Sequence, residues 1–211
     1  MPVSSLNRFT VPLSTDQSSA SQGLLMPKLK YRFRVTLDNF GVPGTPTTEL
    51  TKQVMNVTRP DLSFETISLP VYNSTVKLAG KHSWADAKLT LRDDVSNNVT
   101  TLVGQQLQKQ FDFFEQSGAA SGIDYKFTMR VEMLDGGNGA NTPTILESFE
   151  FLGCWLKNAT YQGGDYSNAT DPMDIALTIC YDNALQYGEG GAPTGIGAAV
   201  GRTVRSLALG G

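Results

Sequence analysis

YKFTMRVEM, Tyr125 to Met133, alternates apolar and polar residues without a break: Tyr125, Phe127, Met129, Val131 and Met133 against Lys126, Thr128, Arg130 and Glu132. A β-strand points successive side chains to opposite faces, so this run predicts a strand with one dry face and one wet face. The same period recurs in Leu29–Leu37, where Leu29, Tyr31, Phe33, Val35 and Leu37 oppose Lys30, Arg32, Arg34 and Thr36. It recurs in Lys88–Arg92 and in Ile175–Tyr181, where Ile175, Leu177, Ile179 and Tyr181 share a face. Strict alternation of this kind belongs to antiparallel sheets covered on one side. Shorter strands are expected at Gln53–Val57, Leu62–Leu69, Tyr72–Leu78 and Ile145–Phe151.

One segment changes period. Val99, Leu102, Val103, Leu107, Phe111 and Phe114 fall at helical spacing, with Gln105, Gln106, Gln108 and Lys109 opposite. Asp94, Ser96 and Asn97 offer capping side chains before it, and Gly118 suits a stop after it. The expectation is therefore mainly β: an antiparallel sandwich or barrel crossed by one principal helix over Val99–Gln116. Asp135-Gly136-Gly137-Asn138-Gly139 has no Lys-Ser/Thr after it, which removes a phosphate cradle and leaves a hairpin loop.

Three regions are expected: a flexible arm over 1–24, rich in Ser, Gln and Thr; a β domain over 25–187; and a Gly/Ala-rich extension over 188–211. The extension carries Ile196, Val200, Val204, Leu207 and Leu209, a pattern suited to docking on a partner.

The chain has 211 residues, 17 Lys plus Arg, 20 Asp plus Glu and a formal net charge of -3. It has no basic excess for gripping nucleic acid through phosphates. Cys154 and Cys180 are far apart in sequence and read as reduced, buried side chains. A single histidine, His82, argues against zinc and histidine-based catalysis. Asp93 and Asp94 are adjacent, so on a strand they point apart and cannot readily share a proton. Ser74 and Ser83 lack a G-x-S-x-G elbow. Trp84 and Trp155 read as core or interface anchors. No catalytic, metal or cofactor site is expected. Asn-x-Ser/Thr triplets at Asn56, Asn73, Asn98, Asn158 and Asn168 read as turn and strand-face residues, because the polar stretch Met1–Ser21 has no secretory h-region. No apolar run is long enough to span a membrane.

LPVYNSTVKLAGKHSWADAKLTLRDD, Leu69 to Asp94, resembles a segment of the tail tube proteins of T4-like contractile (myovirus) bacteriophages. The resemblance continues through the helix into FDFFEQ, Phe111 to Gln116. Upstream it takes in YRFRVTL and VMNVTRP, and downstream FEFLGC and IALTICY. It covers roughly residues 25–185. It implies a structural, non-enzymatic subunit: a homohexameric ring whose sheets close a continuous β-barrel around a lumen, stacked into a tube. The implied partners are further copies of the chain, the tail sheath, tape measure, baseplate and tail terminator proteins, with DNA passing through the lumen without specific binding and no membrane. The implied location is the virion tail after synthesis in the host cytoplasm. The same resemblance admits a baseplate tube initiator; a surface adhesin is the more distant reading. In the resembling tubes a loop of this region reaches the neighbouring ring. Asn73, Ser74, Lys77, Lys81 and His82 are accordingly the inter-ring or inter-subunit contact candidates, with Ala79-Gly80-Lys81 as the turn and a polar tip.

Overall fold

The computed structural model describes residues 28–42, 47–136, 142–168 and 170–199. The arm over 1–24 and the end of the extension, 200–211, thus lie outside the described residues. The chain divides between Arg32 and Phe33. Residues 28–32 form a turn in which the Arg32 N–H donates to the Leu29 carbonyl at 3.2 Å. The strand expected from Leu29 therefore begins only at Phe33.

From there the order is β1 (Phe33–Asp38), α1 (Thr48–Gln53), β2 (Val54–Val57), β3 (Leu62–Val71), β4 (Ser74–Trp84), β5 (Ala87–Arg92) and α2 (Asn98–Gln110). There follow β6 (Phe111–Asp112), β7 (Ser117–Gly118), α3 (Gly122–Tyr125), β8 (Phe127–Leu134), β9 (Ile145–Tyr161), β10 (Asp174–Cys180) and β11 (Asn183–Gly188). The fold is mainly antiparallel β with one principal helix, as the alternation predicts.

Two four-stranded layers share the 17-residue β9. One runs β1-β8-β9-β11 and the other β9-β10-β5-β2, every pair antiparallel. Along one side of β9, β11 pairs its first half and β10 its second. The corner between them is Gly153, held at φ +68, where a Cβ would run into the Asp182 carboxylate. A left-handed residue with no room for a methyl group has to be glycine. The extra residue also reverses the alternation: Phe149 and Phe151 face inward before the corner, Cys154 and Leu156 after it. Both halves of β9 thereby bury their apolar side against one core.

That core holds Val35 and Leu37 of β1, Leu89 and Leu91 of β5, Met129 and Val131 of β8, and Ile175, Leu177 and Ile179 of β10. The helix α2 adds Val99, Leu102 and Val103; each contributes on the order of 1.5–3 kcal/mol by leaving water. It lies beside the part of β9 that β8 does not reach. There the Gln110 side chain imitates a strand, accepting from the Leu156 N–H at 2.8 Å and donating to the Leu156 carbonyl at 2.9 Å.

Several expected boundaries move. The helix ends at Gln110, not Gln116, because its stripe does not continue: Phe111 opens a strand, and Phe114 is 95% exposed at a turn. The Asp112 carboxylate accepts from the Phe114 and Glu115 N–H groups there, so an Asx-type turn outcompetes another helical turn. At the other end, of the expected capping residues Asp94, Ser96 and Asn97, it is Asp94 whose carboxylate accepts from the Asn98 N–H. Gln106, expected on the wet face, is fully buried. Gln53 closes the unforeseen helix α1, and Tyr125 closes the short helix α3. The Asp135 loop joins β8 to β9 as an antiparallel hairpin, with Asp135 N–H on the Thr144 carbonyl at 3.1 Å.

Candidate assembly surface

The strands β3 and β4 pair only with each other, as a two-stranded ribbon outside both layers. At roughly 3.3 Å per residue its strands are on the order of 33 Å long. Its turn is Tyr72-Asn73, not Ala79-Gly80-Lys81, with Val71 opposite Ser74 and Tyr72 at φ +33. Gly80 instead sits within β4 where the register slips between Phe64 and Thr66. A Cβ on Gly80 would stand 3.0 Å from the Glu65 carbonyl oxygen, a tight approach that favours glycine at the bulge.

The bulge swaps the apolar side of the ribbon. Near the base, Leu62 and Phe64 oppose Trp84 and His82, and Trp84 stacks at a tilt on Tyr181 at 5.6 Å between ring centroids. Beyond the bulge the other side is apolar: Ile67, Leu69 and Val71 stand with Val76 and Leu78, each 45–49% exposed. Thr66, Ser68, Thr75 and Lys77 take the opposite face. An isolated hairpin is marginal in water, and five contiguous aliphatic side chains about half exposed, with no strand of the described residues beside them, mark a contact surface.

All five candidate residues fall on this arm, but not on one face. Asn73 is in the turn, Ser74 borders the apolar side, Lys77 lies on the polar side, Lys81 is in the bulge, and His82 packs by Phe64 near the base. The tip is therefore not uniformly polar. The aliphatic face was missed although its signal, Ile67-x-Leu69-x-Val71 and Val76-x-Leu78, is the alternation that located the other strands. Phe113 and Phe114, both exposed, form a second unforeseen apolar feature.

The outward face of the β1-β8-β9-β11 layer is polar but internally matched. Arg34 Nε donates to Glu132 Oε2 at 2.6 Å across β1 and β8. Arg130 donates to Glu150 at 2.9 Å across β8 and β9, and the Tyr187 hydroxyl donates to the other Glu150 oxygen at 2.9 Å. The Arg130 guanidinium holds the Glu150 carboxyl below its ordinary value. Arg130, Glu132, Glu150 and Tyr187 border an open hollow of about 530 Å³. Each arginine there meets a carboxylate, so the face presents little net charge. Burial pushes the Cys154 thiol up to about 12, which leaves it a protonated core side chain. Among the described residues no cluster of His, Cys, Asp or Glu could hold a metal ion. No helix among them is long and apolar enough to cross a membrane.

Two antiparallel layers sharing a bent strand, one principal helix and a two-stranded ribbon make up a fold that recurs in chains of contractile injection systems. Among solved structures, the chain is similar to a chain of the anti-feeding prophage tube-terminating cap, at 15% identity and TM-score 0.57, over 84% of this chain and 99% of that one. It is similar to a chain of the anti-feeding prophage baseplate, at 11% identity and TM-score 0.56, over 78% and 98%. A chain of the sheath/tube terminator of the extracellular contractile injection system PVC aligns at 16% identity and TM-score 0.55, over 79% and 100%. At these identities the likeness is one of fold. No family model matches the sequence, and the curated proteins gave no match.

Proposed function

We propose that this chain is a structural subunit of the tube of a contractile tail, forming hexameric rings that stack into a hollow tube, and that it catalyses no reaction. The observation that carries the reading is the β3–β4 ribbon: an arm on a tube-type fold whose aliphatic face is about half exposed among the described residues. A second copy of the chain is the occupant this face fits, because the repeating contact of a ring covers every such arm at once. In this reading Asn73 and Ser74 border the aliphatic contact at the turn, and Lys77, Lys81 and His82 meet a neighbouring copy from the other side of the ribbon. The matched charges of the β1-β8-β9-β11 face support a wall along which a polyanion slides without being held. The tape measure protein and DNA would occupy the lumen in turn, and the sheath, terminator and baseplate would meet the outside and the ends.

Negative-stain microscopy of the purified chain tests this, together with two double variants. Leu69→Ser/Val76→Ser is expected to keep the circular dichroism of the subunit and to abolish rings and tubes. Lys77→Glu/Lys81→Glu is expected to spare the subunit and stop tube growth. Long tubes from both variants would remove the ribbon from the account. Isolated rings from the unaltered chain would favour a baseplate initiator of the same fold.

A further inference from the structure

After β11 the chain turns through Glu189–Gly191 and runs back along the outer edge of the same strand. The Gly188 N–H donates to the Ala192 carbonyl at 3.0 Å, the Thr194 N–H to the Gln186 carbonyl at 2.9 Å, and the Gln186 N–H to the Ile196 carbonyl at 2.8 Å. The remaining outward donor, the Ala184 N–H, is taken by the Asn183 side chain at 2.9 Å. The glycines let the segment lie flush. A Cβ on Gly188 would stand 3.0 Å from Thr194 Cγ2, and one on Gly197, at φ +96, 2.6 Å from Leu185 Cδ2. Gly195, at φ +65, would press on the Gln186 carboxamide.

An exposed strand edge is a template for another strand, and covering it is a common defence. Here the cover is light. It has few backbone bonds, Pro193 has no N–H to give, and Ala192–Gly195 are exposed. Its direction is informative. Each neighbour in β1-β8-β9-β11 is antiparallel, and the covering segment is antiparallel to β11, so it runs in the same sense as β9 and β1. At the far edge of the layer, β1 has a strand partner on one side only among the described residues. It is six residues long, as is β11. The Leu37 carbonyl there accepts from the Thr47 hydroxyl at 2.9 Å, a side-chain bond that an arriving strand can replace. A rotated copy that sets its β1 beside β11 keeps the antiparallel alternation and occupies the place of the segment without reversing the chain. The core side of β1, Val35 and Leu37, then continues the core side of β11, Ala184.

In the tube reading the outer edge of β11 meets a strand of a second copy, and β1 fits there; we propose that residues 192–196 close this edge in the free subunit and leave it when copies meet. The proposal rests on the tube reading. It makes the first part of the Gly/Ala-rich extension a device that delays pairing of free subunits.

The test locks the segment down. Tyr187 and Pro193 face each other as a non-hydrogen-bonded antiparallel pair, the geometry in which Cα atoms are about 4.5 Å apart and a disulfide fits. Tyr187→Cys/Pro193→Cys, with the bond mapped by mass spectrometry, is expected to stay monomeric when oxidised and to assemble after reduction, read by light scattering and microscopy. Gly195→Val/Gly197→Val, which lifts the segment, is expected to shorten the lag and lower the concentration at which assemblies appear. Equal assembly of the oxidised and reduced forms overturns the proposal. So does an unchanged or longer lag in the valine variant, which decides the matter should the cysteine pair disturb folding. Failure of the unaltered chain to assemble would instead remove the tube reading.

Discussion

Gln106→Leu isolates one buried side chain that ties the helix to two distant segments. Its Oε1 accepts from the Gly41 N–H at 2.9 Å and its Nε2 donates to the Tyr125 carbonyl at 2.7 Å, with the side chain wholly out of water. Leucine nearly preserves the volume, so cavity formation adds little and the loss is polar. The Gly41 N–H is buried and the Tyr125 carbonyl partly so. Leaving a buried polar group without its partner costs about 1–3 kcal/mol, which puts the variant about 2–4 kcal/mol below the parent. With a urea slope of about 2 kcal/mol per molar, the unfolding midpoint falls by about 1–2 M. Gln108→Ala, on the exposed side of the same helix, is the control and stays within about 0.5 kcal/mol. Urea unfolding followed by circular dichroism, at a concentration where both proteins are monomeric, gives the comparison. Equal midpoints for Gln106→Leu and the parent would refute the bridge.

Two further outcomes follow from the chemistry of named groups. Cys154 should resist a disulfide reagent at pH 8 in the folded chain and react only at the rate of unfolding, because burial keeps its thiol protonated; rapid stoichiometric labelling of Cys154 in native protein contradicts its placement. Glu150 has a folded-state pKa held down first by its hydrogen bond to Arg130. Its stabilising contribution is thus present above the unfolded value of about 4.3 and is lost as pH falls through the lower folded value. Glu150→Gln should flatten the stability profile as pH falls from about 4.3 through the lower folded value, and identical acid limbs for variant and parent would remove the Arg130–Glu150 pair from the balance.

Where period and burial agree, the sequence reads directly. β1, β5 and β10 bury every second residue, and β8 does so apart from the additionally buried Glu132, so the alternation locates these strands and names most of the core. β9 was legible only to Phe151, because Gly153 reverses the alternation at the corner and the strand beyond it reads out of phase. The helix was legible as a helix, but its end was not. Phe111 and Phe114 keep helical spacing by accident, while the Asp112 carboxylate turns the backbone out. Gln106 looks like any surface glutamine until Gly41 and Tyr125, distant in sequence, are brought against it. The sequence locates the ribbon as a pair of strands but puts its turn at Ala79-Gly80-Lys81, where the structure turns at Tyr72-Asn73. A glycine at a bulge and a glycine at a turn look alike in sequence, and the close approach of Glu65 distinguishes them only in three dimensions.

The central claim is that this fold makes a tube from copies of itself, and electron cryomicroscopy of the purified chain addresses it most directly. The account predicts stacked six-fold rings around an open lumen, with the β3–β4 ribbon of each subunit lying against a neighbouring copy through Ile67, Leu69, Val71, Val76 and Leu78. A population that remains monomeric across salt and pH, or rings in which that face stays bare, would contradict it.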